Sequence, residues 1–81
     1  MPRFTEMIET ESGRLEFSFT SIYSKYGLRY YINVTDELQK YYFFTMNEKG
    51  GSWQIENALK LPDWLQKLRG KLSIIIMENE P

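Results

Sequence analysis

Aromatic side chains interleaved with cations and small polar groups form the pattern in this chain that is most able to bind a ligand. Arg29, Tyr31, Tyr41 and Phe43 share one side of two predicted strands, with Lys40 beside them. Such rings can stack nucleobases, and each stacked base is worth about 1–3 kcal/mol. The same rings could instead form cross-strand pairs worth roughly 0.2–1 kcal/mol each, or lie under the amino-terminal arm or a second subunit. These five residues are the candidate nucleic-acid or partner-binding face.

Side chains suited to catalysis are scarce. The chain has no histidine and no cysteine, which removes the usual proton shuttle and excludes thiolate nucleophiles, thiolate metal sites and disulfides. Asp36 and Glu37 are typical of turn chemistry, and no pair of carboxylates has a spacing that predicts shared burial. The Gly50-Gly51 pair lacks the following helix and lysine of a phosphate loop. We therefore predict a protein that is not an enzyme and that holds no metal and no cofactor.

Size and charge limit the function classes further. Eighty-one residues provide one small core, and 10 basic against 11 acidic side chains give a net charge of −1. This balance argues against bulk attraction to phosphates, so any nucleic-acid binding depends on a local patch. No apolar run exceeds four residues, whereas a membrane-spanning helix needs about 20. We expect a soluble, cytoplasmic protein that makes no membrane contact.

Alternating apolar and polar residues predict a four-stranded antiparallel meander between residues 14 and 56. Turns are predicted at residues 24–27, 35–39 and 48–51, and these short connections make neighbouring strands antiparallel. One side of this sheet should form the core. Its residues are Leu15, Phe17, Phe19, Leu28, Tyr30, Ile32, Val34, Tyr42, Phe44 and Met46.

The first thirteen residues have no clear period. Phe4, Met7 and Ile8 have helical spacing but stand among glutamates. We interpret residues 1–13 as an N-terminal arm or a short edge element. Residues 14–81 then form a single ββββα domain of the α+β class.

The period changes again beyond Asn57. Pro62 suits the first turn of a helix, and apolar residues between Leu61 and Ile76 fall within a stripe of about 120° at 100° per residue. This predicts one C-terminal amphipathic helix, from Leu61 to about Asn79, packed on one face of the sheet. The alternative is a helix that ends at Gly70 and a fifth strand over residues 71–77. We favour the continuous helix because Gly70 falls on its polar side.

Ile74 and Met77 lie outside that stripe. A single helix then presents apolar surface in two directions, more than one small sheet can cover. We expect a homodimer with Ile74 and Met77 at or near its interface. A curved helix, or a strand in this segment, would instead bury them within one chain.

The order of four strands and a helix, together with the segment Leu61-Pro62-Asp63-Trp64-Leu65-Gln66-Lys67-Leu68, carries a resemblance. It resembles the PC4-type, Whirly-like single-stranded-DNA-binding domains, and the segment is similar to the proline- and tryptophan-containing entry into their helix. The resemblance covers about residues 14–79. It implies a curved sheet, a dimer formed with the help of the helix, and a single-stranded nucleic acid as ligand. The binding strands of that family are commonly basic, whereas this chain is slightly acidic.

Three hypotheses follow for the function. The first is a small non-catalytic interaction module that acts as a homodimer with an unknown partner. The second is a single-stranded nucleic-acid-binding protein that uses the aromatic and basic sheet face. The third is an unrecognised small enzyme or enzyme subunit.

Overall fold

A five-stranded antiparallel sheet followed by short helices makes up the protein in a computed structural model, which describes residues 3–25 and 27–79. The strands are β1 (Arg3–Thr10), β2 (Gly13–Ser24), β3 (Gly27–Thr35), β4 (Tyr41–Lys49) and β5 (Ser52–Ile55). A 3-10 turn (Ala58–Lys60) and two helices, α1 (Asp63–Gln66) and α2 (Arg69–Glu78), follow them. The strands neighbour each other in chain order, so the sheet is a meander.

Strand β1 corrects the prediction of four strands. Phe4 pairs with Phe19, and Ile8 pairs with Leu15, so these two apolar residues of β1 face the core. A separation of four residues fits the period of a helix and the period of a strand alike, which is why the pattern was ambiguous. The edge-element alternative is therefore the one found for residues 3–10, while residues 1 and 2 lie outside the described residues.

The predicted core side of the other strands is confirmed. Eight of its ten residues are buried, and Leu28 and Tyr42 pack against them partly buried. α1 contributes Leu65 to the same cluster, and α2 contributes Leu72 and Ile76. The C-terminal helices therefore cover this one face of the sheet.

Residues 71–77 are helical, but the predicted helix is not continuous. The interruption falls between α1 and α2, where the Leu68 N–H donates to the Leu65 carbonyl at 3.0 Å, a tighter bond of the 3-10 type. Gly70 lies inside α2 and does not end a helix. Its low helix propensity, two residues after the interruption, favours a break in this region. No helix in the described residues is long and apolar enough to cross a membrane.

Helix α2 also lies along the free edge of β5. The Trp53 N–H donates to the Ser73 hydroxyl at 3.1 Å, and the Arg69 guanidinium donates to the Trp53 carbonyl at 3.2 Å. Unpaired N–H and C=O groups at a sheet edge are a template for pairing with other chains. These two bonds occupy the N–H and the carbonyl of Trp53, so that neither is free to pair with a strand of another chain.

The connection between β3 and β4 depends on Asp36, whose turn role is confirmed. Asp36 is buried, and one of its carboxylate oxygens accepts the N–H groups of Leu38 and Lys40, each at 2.9 Å. Its own N–H donates to the Lys40 carbonyl at 2.9 Å. The carboxylate is thus occupied by the loop that it organises.

Asp36→Ala is expected to lower the free energy of unfolding by about 1–3 kcal/mol, because two partly buried hydrogen bonds to a charged group are lost. Urea denaturation measures the loss. Glu48→Ala removes an exposed carboxylate and should change the same quantity by less than about 0.5 kcal/mol. Equal losses in both variants would contradict the role assigned to Asp36.

Candidate functional site

The sheet face turned away from α1 and α2 is called the outer face, and it holds most of the predicted site residues. Odd-numbered residues of β3 and β4 pair with one another across the strands, and alternate residues of a strand share a face. This register brings four of the five predicted residues onto the outer face. They are Arg29, Tyr31, Tyr41 and Phe43.

Two rings form the centre of the outer face. Tyr31 and Phe43 have ring centroids 5.2 Å apart with their planes tilted by 43°. Tyr31 is 40% exposed, Phe43 53% and Tyr41 60%, so much of each ring remains open to a further group. The residues around the rings have short polar side chains that leave the rings accessible. They are Ser18, Thr20, Asn33 and Thr45.

Lys40 does not join the other predicted residues. It precedes Tyr41 by one position, so its side chain lies on the opposite side of the sheet. Its ammonium lies 5.4 Å from the centroid of the Tyr42 ring. Tyr42 in turn packs edge-on against Trp64 on the core side, at 5.6 Å between centroids.

Glu56 is a site residue that sequence reasoning missed. Its carboxylate accepts a hydrogen bond from the Thr45 hydroxyl and lies 3.5 Å from Nη2 of Arg29. The cation predicted for this face therefore has an acidic partner. The available signal was the two-residue turn at Gly50-Gly51, because such a turn fixes the register of its hairpin and places Glu56 beside Thr45.

A cavity of about 190 Å³ opens next to Phe43. Phe43 and Leu61 supply apolar walls, while Glu56, Lys60 and Thr45 supply charged and hydroxyl groups. The side chain of Glu56 is only 23% exposed. The outer face therefore ends in a small pocket with a half-buried carboxylate.

A second, wider groove of about 410 Å³ lies between the end of β1 and α1. Trp64 and Leu68 line it on the helical side, and Glu9 lines it on the strand side. Glu11 and Lys67 form an ion pair of 3.2 Å across it, and both side chains are well exposed. Exposed pairs of this kind contribute little to stability. Glu9 pairs with Arg14 at 3.9 Å, so each charged side chain that lines the groove has an ionic partner.

The exposed side of α2 is the second surface with apolar character, and it is called the α2 stripe. It consists of Gly70, Ile74 and Met77, which the helical period places on one side. Ile74 is 58% exposed and Met77 49%. A Cβ at Gly70 would meet no atom within 4 Å, so no other element covers the stripe at Gly70. Lys71 and Glu78, both exposed, flank it.

A scan against protein-family models and searches of curated proteins and of solved structures found no match to this chain. The resemblance to PC4-type, Whirly-like domains therefore stays a prediction. In the described part of the chain, no three Asp or Glu side chains lie close enough together to hold a metal ion.

Proposed function

We propose that this protein is a small non-catalytic interaction module that acts as a homodimer. The supporting observation is that the core uses one face of the sheet and one side of α2, which leaves the outer face and the α2 stripe exposed. Exposed apolar patches of more than isolated residues are typical of interaction sites. The buried carboxylate of Asp36 accepts two N–H groups of its own loop, which supports a structural role for it.

The α2 stripe suits a second copy of the same helix. Gly70 has no side chain, so it allows close approach of another helix to Ile74 and Met77. Lys71 and Glu78 lie on one flank of the stripe, two turns apart. In an antiparallel pair around a twofold axis, Lys71 of each copy faces Glu78 of the other. This self-complementary charge pattern favours an isologous dimer, the commonest symmetric arrangement.

The outer face suits a separate partner. Tyrosine provides a large, rigid contact area at low entropic cost, and small polar residues provide adaptable hydrogen bonds. Tyr31 and Tyr41 among serine, threonine and asparagine match this description. We assign partner binding to the outer face, and self-association to the α2 stripe.

A pull-down from native lysate, with and without nuclease, tests the outer face. The wild type should retain a partner that the double variant Tyr31→Ala, Phe43→Ala loses. Tyr23→Ala is the matched control, because Tyr23 is an exposed tyrosine at the end of β2 whose strand position puts it on the other side of the sheet. Identical partners on the wild type and on the double variant would contradict the assignment.

Single-stranded nucleic acid is a second candidate for that partner. The observation that favours it is the contact between the exposed rings of Tyr31 and Phe43, since adjacent rings can stack successive bases. The net charge of −1 predicts only modest affinity, with a shallow dependence on salt.

Tyr31→Ala and Phe43→Ala should each weaken the binding of an oligo-dT strand by about 1–3 kcal/mol, because each removes one stacking ring. Fluorescence anisotropy at about 50 mM salt measures the affinity. Circular dichroism must show that each variant is folded, and Tyr23→Ala should bind as the wild type does. Absence of binding to oligo-dT and to a strand of mixed sequence at about 100 μM protein, a free energy weaker than about −5.5 kcal/mol, would exclude this second candidate.

A further inference from the structure

The pocket next to Phe43 is small enough to define the kind of group it admits. Its volume is about 190 Å³, whereas sites for whole small molecules occupy about 300–1,000 Å³. It therefore has space for one flat group, such as a single base or one side chain. Phe43 belongs both to this pocket and to the ring pair of the outer face, so a strand stacked on the rings reaches the pocket directly.

Charge in and around the pocket favours a nucleotide over a basic side chain of a partner. Glu56 carries the negative charge, while Lys60 lines the pocket and Arg29 lies 3.5 Å from the carboxylate. Two cations against one anion give a local net charge of +1. An arginine or lysine side chain from a partner would be repelled, whereas a nucleotide brings a phosphate for Lys60 and a flat base for Phe43.

The hydrogen-bonding capacity of Glu56 favours guanine over thymine. A carboxylate has about four acceptor positions on its two oxygens. One oxygen accepts from the Thr45 hydroxyl and the other faces Arg29, so each oxygen can accept one more bond. Guanine presents two adjacent donors, N1–H and N2–H, on its Watson–Crick edge. Thymine presents one N–H between two carbonyl oxygens, which a carboxylate repels.

We infer that this pocket binds a guanine base of a single strand and disfavours thymine. The inference rests on the single-strand binding proposed above. Phe43 stacks the base, Glu56 accepts from its two donors, and Lys60 contacts a phosphate. Single-stranded bases are commonly recognised in this way, by stacking together with hydrogen bonds to the Watson–Crick edge.

Anisotropy with matched oligonucleotides tests the inference on the wild-type chain. A strand of about eight thymidines is compared with the same strand containing one central dG. The dG strand should bind about tenfold tighter, the discrimination typical of a two-bond contact to a base. Replacing dG by deoxyinosine, which lacks the 2-amino group, should reverse much of that gain. Equal affinity for all three strands would overturn the inference and leave the stacking proposal in place.

Two variants test which residue causes the preference for dG. Glu56→Gln should abolish the preference for dG while the thymidine strand still binds, because the amide cannot accept both donors. Lys60→Gln should weaken all strands by a similar factor and keep the preference. A preference that persists in folded Glu56→Gln would overturn the inference. Absence of binding to every strand would overturn both this inference and the single-strand proposal, and the deoxyinosine comparison decides the case if Glu56→Gln fails to fold.

Discussion

Leu72→Ala is expected to lower the free energy of unfolding by about 2–5 kcal/mol, the range for removing a fully buried leucine side chain. Leu72 is 0% exposed and joins α2 to the core of the sheet. A loss of this size is a large fraction of the stability available to a small domain. Urea denaturation at one fixed protein concentration measures it, because dimer formation makes apparent stability depend on concentration.

Leu59→Ala is the matched control for this prediction. Leu59 is 94% exposed, so its truncation should change the free energy of unfolding by less than about 0.5 kcal/mol. Leu68, which belongs to the predicted helical stripe, is only partly buried, and its truncation should cost less than that of Leu72. A Leu72→Ala loss as small as the Leu59→Ala change would contradict the packing of α2 on the sheet.

Ile74→Glu is expected to dissociate the homodimer without unfolding the chain. In one copy Ile74 is 58% exposed, so the new carboxylate is solvated in the monomer. In the dimer it would lie in the apolar contact without a partner, at a cost of several kcal/mol. The dissociation constant should rise by roughly a hundredfold or more, which analytical ultracentrifugation measures. Leu59→Glu introduces the same charge away from α2 and should leave the dimer intact.

A charge exchange tests the antiparallel arrangement of that dimer. Lys71→Glu places a carboxylate opposite Glu78 of the second copy and should weaken association. Adding Glu78→Lys restores opposite charges across the twofold axis and should recover it. Lys71 and Glu78 are two turns apart within one helix, so they cannot compensate each other inside a copy. A double variant as weak as the single variant would contradict the proposed pairing.

Much of the fold could be predicted from two periods in the sequence, that of a strand and that of a helix. Strict alternation located β2 to β5 and the core side of β2 to β4, and Gly50-Gly51 located the turn between β4 and β5 because both glycines adopt positive φ there. Strand β1 could not be identified in this way, since the spacing of Phe4 and Ile8 fits either period. The break between α1 and α2 had one weak local signal, the low helix propensity of Gly70. It accompanies the bonds of α2 to Trp53, which is distant in sequence.

Those residues of the candidate site that strand alternation places on one face could be predicted from the sequence. Tyr31, Tyr41 and Phe43 share a face because of their spacing alone, and the same alternation excludes Lys40. Met7, 48% exposed, joins the outer face only once β1 is known. Glu56 could be placed at the site only with the register of β5, which brings its carboxylate close to Arg29.

Sedimentation equilibrium of the wild-type chain tests the homodimer most directly. The experiment is performed at about 100 μM, where an association stronger than roughly −5.5 kcal/mol gives mostly dimer. The homodimer proposal predicts a mass of twice 9.7 kDa. A single stable species of 9.7 kDa at that concentration would contradict it.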